Sequence, residues 1–250
     1  MTESTLSVSY YELIRAVGRF LGYGADPDDW DASQLSEIQD HVKTGLRRFY
    51  GSHQWSFLRP EHTLTAEQGV ASYALPANFA TIMGDITYED GSLKRWGIRL
   101  IDATTMRRVR AFSREGKPEV AAVVPLVSDG ETGQRKQITF YPTPDSEMIF
   151  TFNMQVLPDT VTPEAPYPLG GQLYAEAIRE ACLAAAESEM DDVEQVHAQR
   201  FLDEVTKAIG VDRTHRAIEH LGYNSDGVND FAPQRRRSQV TFNGVPLSDL

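Results

Sequence analysis

The chain has a single cysteine, Cys182, in 250 residues. One cysteine excludes a disulfide framework. Basic charge is also scarce: 24 Lys+Arg stand against 36 Asp+Glu, a formal net charge of −12. Proteins that grip a nucleic-acid backbone carry the reverse balance, so tight nucleic-acid binding by the body of the protein is not expected. DNA that slides past without sticking is compatible with the charge. No run approaches the ~18 consecutive apolar residues of a membrane span. The first ten residues lack the basic and apolar regions of a signal peptide, so a soluble, cytoplasmically made protein with no membrane partner is expected. With 18 Gly and 13 Pro, the composition is neither collagen-like nor low-complexity.

What is present is enough apolar residue, 41% of the chain, to build a substantial core. The acidic excess is uneven. Residues 1–60 carry 6 basic and 8 acidic side chains, and residues 61–158 carry 10 and 12. Residues 159–210 carry 3 and 11, a net −8, and residues 211–250 carry 5 of each.

Patterning divides the chain into helix, strand and helix again. Ser9 and Glu12 form a capping box ahead of Leu13, Ile14, Val17, Phe20 and Leu21, which predicts a helix over 9–22 stopped at Gly22 and Gly24. A second helix is expected over 32–50, capped by Asp31 or Ser33, with Leu35, Ile38, Val42, Leu46 and Phe49 on one face. Residues 63–65, 71–75, 81–88, 121–127, 137–141 and 148–156 read as strands, in the period-2 alternation of antiparallel pairs. Gly69 marks a hairpin turn over 66–70, and Asp90-Gly91 marks another. A short helix is expected over 101–112, started by Asp102 or Thr104. After a proline-rich crossing at 157–168, a helix over 169–190 presents the small face Leu173, Ala177, Ala181, Ala184 and Ala185. Asp191 or Asp192 would cap a further helix that Gly210 ends, with a short one over 213–221.

The expected fold is therefore α+β. A helical bundle of about four helices (1–58 and 159–221) carries an inserted antiparallel β-rich lobe (59–158), and an extended C-terminal tail follows (222–250). Helices that flank one β segment can bury their faces against each other.

Catalytic and cofactor signatures are missing. There is no phosphate-binding G-x-x-x-x-G-K-[ST], no H-E-x-x-H and no G-x-S-x-G. Cys182, on an alanine-rich helix, reads as a buried structural thiol rather than a nucleophile. His215 and His220 are five apart, a poor helical pair for a metal. No cofactor and no enzymatic activity are expected. The densest basic run outside the tail is Arg107-Arg108-Val109-Arg110 with Arg114, either a solvated face or a contact for DNA or an acidic neighbour.

The order of several short elements resembles tailed-phage head-to-tail connector adaptors. Two N-terminal helices end in the aromatic segment Phe49-Tyr50-Gly51-Ser52-His53-Gln54-Trp55-Ser56-Phe57-Leu58. Tyr73-Ala74-Leu75-Pro76-Ala77-Asn78-Phe79 is similar to the Y-x-LP-x-[DN]-F element of that family. Gly116-Lys117-Pro118 resembles its G-x-P strand start, and Ile138-Thr139-Phe140-Tyr141-Pro142-Thr143-Pro144 its strand ending in P-x-P. The likeness runs over about residues 9–210. It implies a structural virion protein at the neck: a ring, a dodecamer by match to the portal, with the portal above, a neck or tail protein below and viral DNA passing through. Another neck or tail ring component, such as a tail terminator, is the alternative, and an unmarked hydrolase a more distant one.

Two sets of site residues follow from that resemblance. Adaptors of this kind carry a C-terminal extension that docks on the portal. Here it would hold Arg235, Arg236 and Arg237, whose guanidinium groups suit carboxylates. The apolar Val240, Phe242, Val245 and Leu247 lie in a segment too short for a core of its own, and would pair with another chain. The acidic Glu187, Glu189, Asp191 and Asp192 would line the DNA channel, where repulsion of phosphate lets DNA pass.

Overall fold

The structure, a computed structural model, describes residues 3–89, 97–128, 130–131, 133–190, 196–215, 241–242 and 245–246. The first helix, α1 (Tyr10–Phe20), starts where Ser9 and Glu12 cap each other: the Ser9 N–H donates to Glu12 Oε2 at 2.8 Å, and the Glu12 N–H to Ser9 Oγ at 3.4 Å. Its stripe of Leu13, Ile14 and Val17 is buried. Helix α2 (Ala32–Gly51) starts the same way, with Asp31 as its cap: Asp31 Oδ1 accepts from Ser33 and Gln34 N–H, both at 2.8 Å. Gly22 and Gly24 follow α1 at φ 82° and 93°, values that L side chains rarely adopt.

The strands are β1 (Glu61–Ala66), β2 (Ser72–Ala74), β3 (Phe79–Tyr88), β4 (Gly97–Leu100), β5 (Val120–Pro125), β6 (Lys136–Tyr141) and β7 (Met148–Val156). They form one sheet in the order β1-β7-β3-β4-β5-β6-β2. The expected antiparallel lobe needs one correction. β4 and β5 run parallel, because the short helix α3 (Ala103–Val109) crosses between them. Asp102 caps α3, accepting from Thr104 and Thr105 N–H. β3 and β4 do pair antiparallel on either side of Asp90-Gly91.

The turn at 67–71 is not a hairpin, contrary to expectation. β1 pairs with β7 and β2 with β6, at opposite ends of the strand order. In a flat sheet those two edges would stand about 29 Å apart, at ~4.8 Å per strand. Six chain steps from Ala66 to Ser72 reach roughly 20 Å. The sheet must therefore curl. Phe140 on β6 and Phe150 on β7 make the same point: their strands are four places apart, yet their ring centroids lie 4.6 Å apart. Tyr88 packs edge-on to Phe150 at 5.3 Å, and its hydroxyl donates to Pro118 O. Burial pushes that phenol up to about 12.

Helix α4 (Ala175–Glu187) packs against α1, α2 and α5 (Val196–His215), so the helices before and after the sheet meet across it. Ala177, Ala181, Ala184 and Ala185 are buried as expected, whereas Leu173 is exposed. Gly210 does not end α5, which continues to His215. The next turn is held by Asp212, fully buried against residues 53–56. Helices and sheet belong to one compact unit, Met1–Arg216. In a second unit, Ala217–Leu250, the described residues are two short strands, β8 (Thr241–Phe242) and β9 (Val245–Pro246), paired antiparallel with Phe242 opposite Val245.

Candidate functional site

The aromatic segment after α2 builds a rigid junction. Trp55 is fully buried and stacks on Phe49 at 4.7 Å and on Phe57 at 5.7 Å, with Tyr174 edge-on at 5.2 Å. Its indole N–H donates to Phe49 O at 3.1 Å, which satisfies the one polar atom such a ring must bury. Asp212 of α5 closes the other side. Its Oδ1 accepts from Ser56 N–H at 2.9 Å and from the Ser56 hydroxyl, and its Oδ2 lies 3.1 Å from His53 Nε2. These rings, of which Phe49, Trp55 and Tyr174 are buried, hold the end of α2 to the start of α4 as part of the core.

The short turn elements of the lobe also touch one another. Gly69 N–H donates to Pro144 O at 2.8 Å, and Gly116 N–H to Thr143 O at 2.8 Å. Leu157 N–H donates to Asn78 O at 2.7 Å, tying the Leu75-Pro76-Ala77-Asn78-Phe79 turn to the end of β7. Each motif that looks like mere turn chemistry in the sequence is thus a contact between two distant segments.

Three buried carboxylates knit α5 to its neighbours, none of them foreseen as structural. Glu180 Oε2 meets His197 Nδ1 at 2.7 Å. Glu187 accepts from His197 N–H at 3.1 Å and Ala198 N–H at 2.8 Å, capping α5. Asp212 is the third. The expectation that Glu187 lines a DNA channel is corrected here: at 3% exposure, with its charge spent on the N–H groups of α5, it presents nothing to DNA in this subunit. Glu189 is exposed, 4.0 Å from His41 Nδ1. Asp191 and Asp192, as channel residues or as helix caps, lie outside the described residues. So do Arg235, Arg236, Arg237, Val240 and Leu247 of the tail; Phe242 and Val245 fall on β8 and β9.

Cys182 is buried, and desolvation pushes its thiol up to about 12. A thiol held neutral in this way is a poor nucleophile. Among the described residues no three His, Cys, Asp or Glu side chains converge as metal ligands, and no helix is long and apolar enough to cross a membrane.

Surface features supply the remaining candidates. A groove of about 680 Å³ between α1 and α4 is lined by Arg15, Arg19, Phe20, Arg179, Leu183 and His197, among others. Another, of about 510 Å³, runs between α2 and the end of β7, with Lys43 and Arg47 on its rim. On α3, Arg107 and Arg108 are exposed, as is Arg110 at its C-terminal cap, and Phe112 just beyond is 76% exposed.

Comparison with protein families gives a match over residues 8–228 to the family described as SU10 adaptor protein. The match covers α1 to α5 and the whole curled sheet. No curated protein matches the chain.

Proposed function

From the premise that the chain belongs to the SU10 adaptor protein family, a phage head–tail adaptor family, we propose that it forms a ring under the portal and joins capsid to tail. It is a structural component of the bacteriophage virion. The observation that carries the proposal is the extent of the family match, which takes in helices and sheet together rather than one motif. The buried Trp55 junction and the interlocked turns support it: they make a stiff subunit, which a load-bearing ring needs.

In this reading the tail engages the portal through Arg235, Arg236, Arg237 and the apolar Val240, Phe242, Val245 and Leu247. Glu189, with Asp191 and Asp192, faces the passing DNA and repels it. The ring is a dodecamer matched to the portal, and its lower face receives the next neck or tail protein. The reaction class is assembly, not catalysis, with no cofactor.

Purified portal rings mixed with the full chain, and separately with a chain lacking residues 235–250, test this. The full chain should co-migrate with portal in native mass spectrometry, while the truncated chain stays folded and free. Equal binding by both would remove the tail from the proposal. Binding by neither would remove the portal.

A further inference from the structure

The charge of this chain is segregated. Residues 99–114 carry five arginines and one aspartate, a net +4, so the other 234 residues carry −16. The positive stretch is a built surface. β4 and α3 hold it against the sheet, Asp102 caps α3, and Met106 is the buried residue of that helix. Arg107, Arg108 and Arg110 point outward with no ion pair among the described residues, and Arg114 lies 3.6 Å from Glu119 at the edge. Phe112, 76% exposed, stands at the end of α3, its backbone carbonyl accepting from Tyr141 Oη–H at 3.0 Å.

We propose that this arginine face with Phe112 is a self-association surface that docks on the acidic helical side of a second copy of the chain. The inference rests on the reading of the protein as a ring subunit and names one side of the contact between subunits. Complementary charge chooses the occupant. A second copy offers the opposite sign: residues 159–210 carry a formal net −8, although Glu180 and Glu187 among them are buried and engaged with α5. On the helices Asp203 of α5 is exposed, with Leu202, 57% exposed, beside it. Two different patches meeting head to tail are what a closed ring requires.

Composition favours protein over DNA as the partner. From 99 to 114 the cations are all arginine, and arginine with an aromatic anchor is the pairing enriched at the centre of protein interfaces. Asp102 lies among the arginines and Glu115 and Glu119 follow Arg114, and these carboxylates would face phosphates with like charge. The rest of the molecule would repel a duplex as well.

Sedimentation of the full chain over rising concentration, in about 50 mM and about 500 mM NaCl, is the test. The wild type should associate and weaken at the higher salt. R107E/R110E should lower the association constant by about a hundredfold or more, and F112S by about tenfold. Neither variant should change the circular dichroism or melting temperature, since all three side chains are exposed. Variants that associate like the wild type would overturn the surface and leave the ring reading standing. Unchanged association together with lost binding of a random-sequence DNA duplex would assign the patch to DNA and overturn the proposal. A wild type that stays monomeric in solution and on portal rings would remove the ring reading and this surface with it.

Discussion

Gly45 of α2 lies directly against the backbone of Cys182 on α4. A Cβ at position 45 would sit 2.4 Å from Cys182 Cα and 2.6 Å from its nitrogen. No real Cβ tolerates that distance, and a helix backbone cannot step aside as a flexible side chain can. The close approach lets Arg48, one turn further along α2, donate to Ala184 O at 3.1 Å and to Ser188 Oγ at 3.1 Å. This contact joins the helices before and after the sheet.

Gly45→Ala should therefore destabilise the fold by about 2 kcal/mol or more, overpacking outweighing the ~1 kcal/mol that alanine gains in a helix. Gly51→Ala is the control, because nothing lies within 4 Å of a Cβ there. It should be neutral or stabilising. Thermal melts of the two variants should move in opposite directions or leave Gly51→Ala unmoved. A Gly45→Ala protein that melts like the wild type would show that α2 and α4 do not pack this closely.

Asp212 is the second test of how the helices are fastened. Asp212→Ala leaves the Ser56 N–H and hydroxyl without their buried acceptor and should cost about 3 kcal/mol. Asp212→Asn keeps an acceptor oxygen for Ser56 and should cost less. Urea midpoints at unchanged slope read the difference. Equal losses would mean that the charge, rather than the hydrogen bonds to Ser56, is what matters.

These two contacts also show what a sequence conveys. The helix starts at Ser9, Asp31 and Asp102 were legible, because a cap and its partners lie within a few residues of one another. Six of the sheet's seven strands were legible from alternation, but β4 (Gly97–Leu100) and the partners of all seven were not. Nothing local in 66–72 states that β1 and β2 end at opposite edges of a curled sheet. Gly210 misled, because a glycine can end a helix, and only the buried Asp212 two residues later carries α5 onward. Glu187 misled likewise: in the sequence it is one of eleven acids in an acidic stretch, and its role depends on α5 starting beside it. Gly45 gave the weakest signal of all, a lone glycine inside a helical pattern.

Asp102 predicts a local pH response. Hydrogen bonds from Thr104 and Thr105 N–H hold its carboxyl below the ordinary value of 3.8. A depressed folded-state value means that the cap's contribution is fully present above about pH 4 and is lost as the pH falls through the lower, folded value. Amide exchange at Thr104 and Thr105 should accelerate in strong acid before that of the α1 core. In Asp102→Asn the exchange should lose this acid dependence. Acid dependence that survives the substitution would place its source elsewhere.

Cys182 predicts chemical silence. With its thiol raised to about 12 by burial, a thiol reagent at pH 8 should leave the folded protein unmodified. In denaturing urea the same reagent should label one thiol per chain. Rapid labelling of the native protein would contradict the packed α2–α4 interface from which Cys182 Sγ–H reaches Val42 O at 3.7 Å.

The central claim is that this chain is the adaptor ring between portal and tail. A cryo-electron-microscopy reconstruction of the virion neck tests it most directly. The account predicts a closed ring of density beneath the portal into which the α1–α5 helices and the curled seven-stranded sheet fit, copy for copy with the portal. A neck whose density under the portal fits a different fold, with this chain elsewhere in the particle or missing from it, would contradict the account.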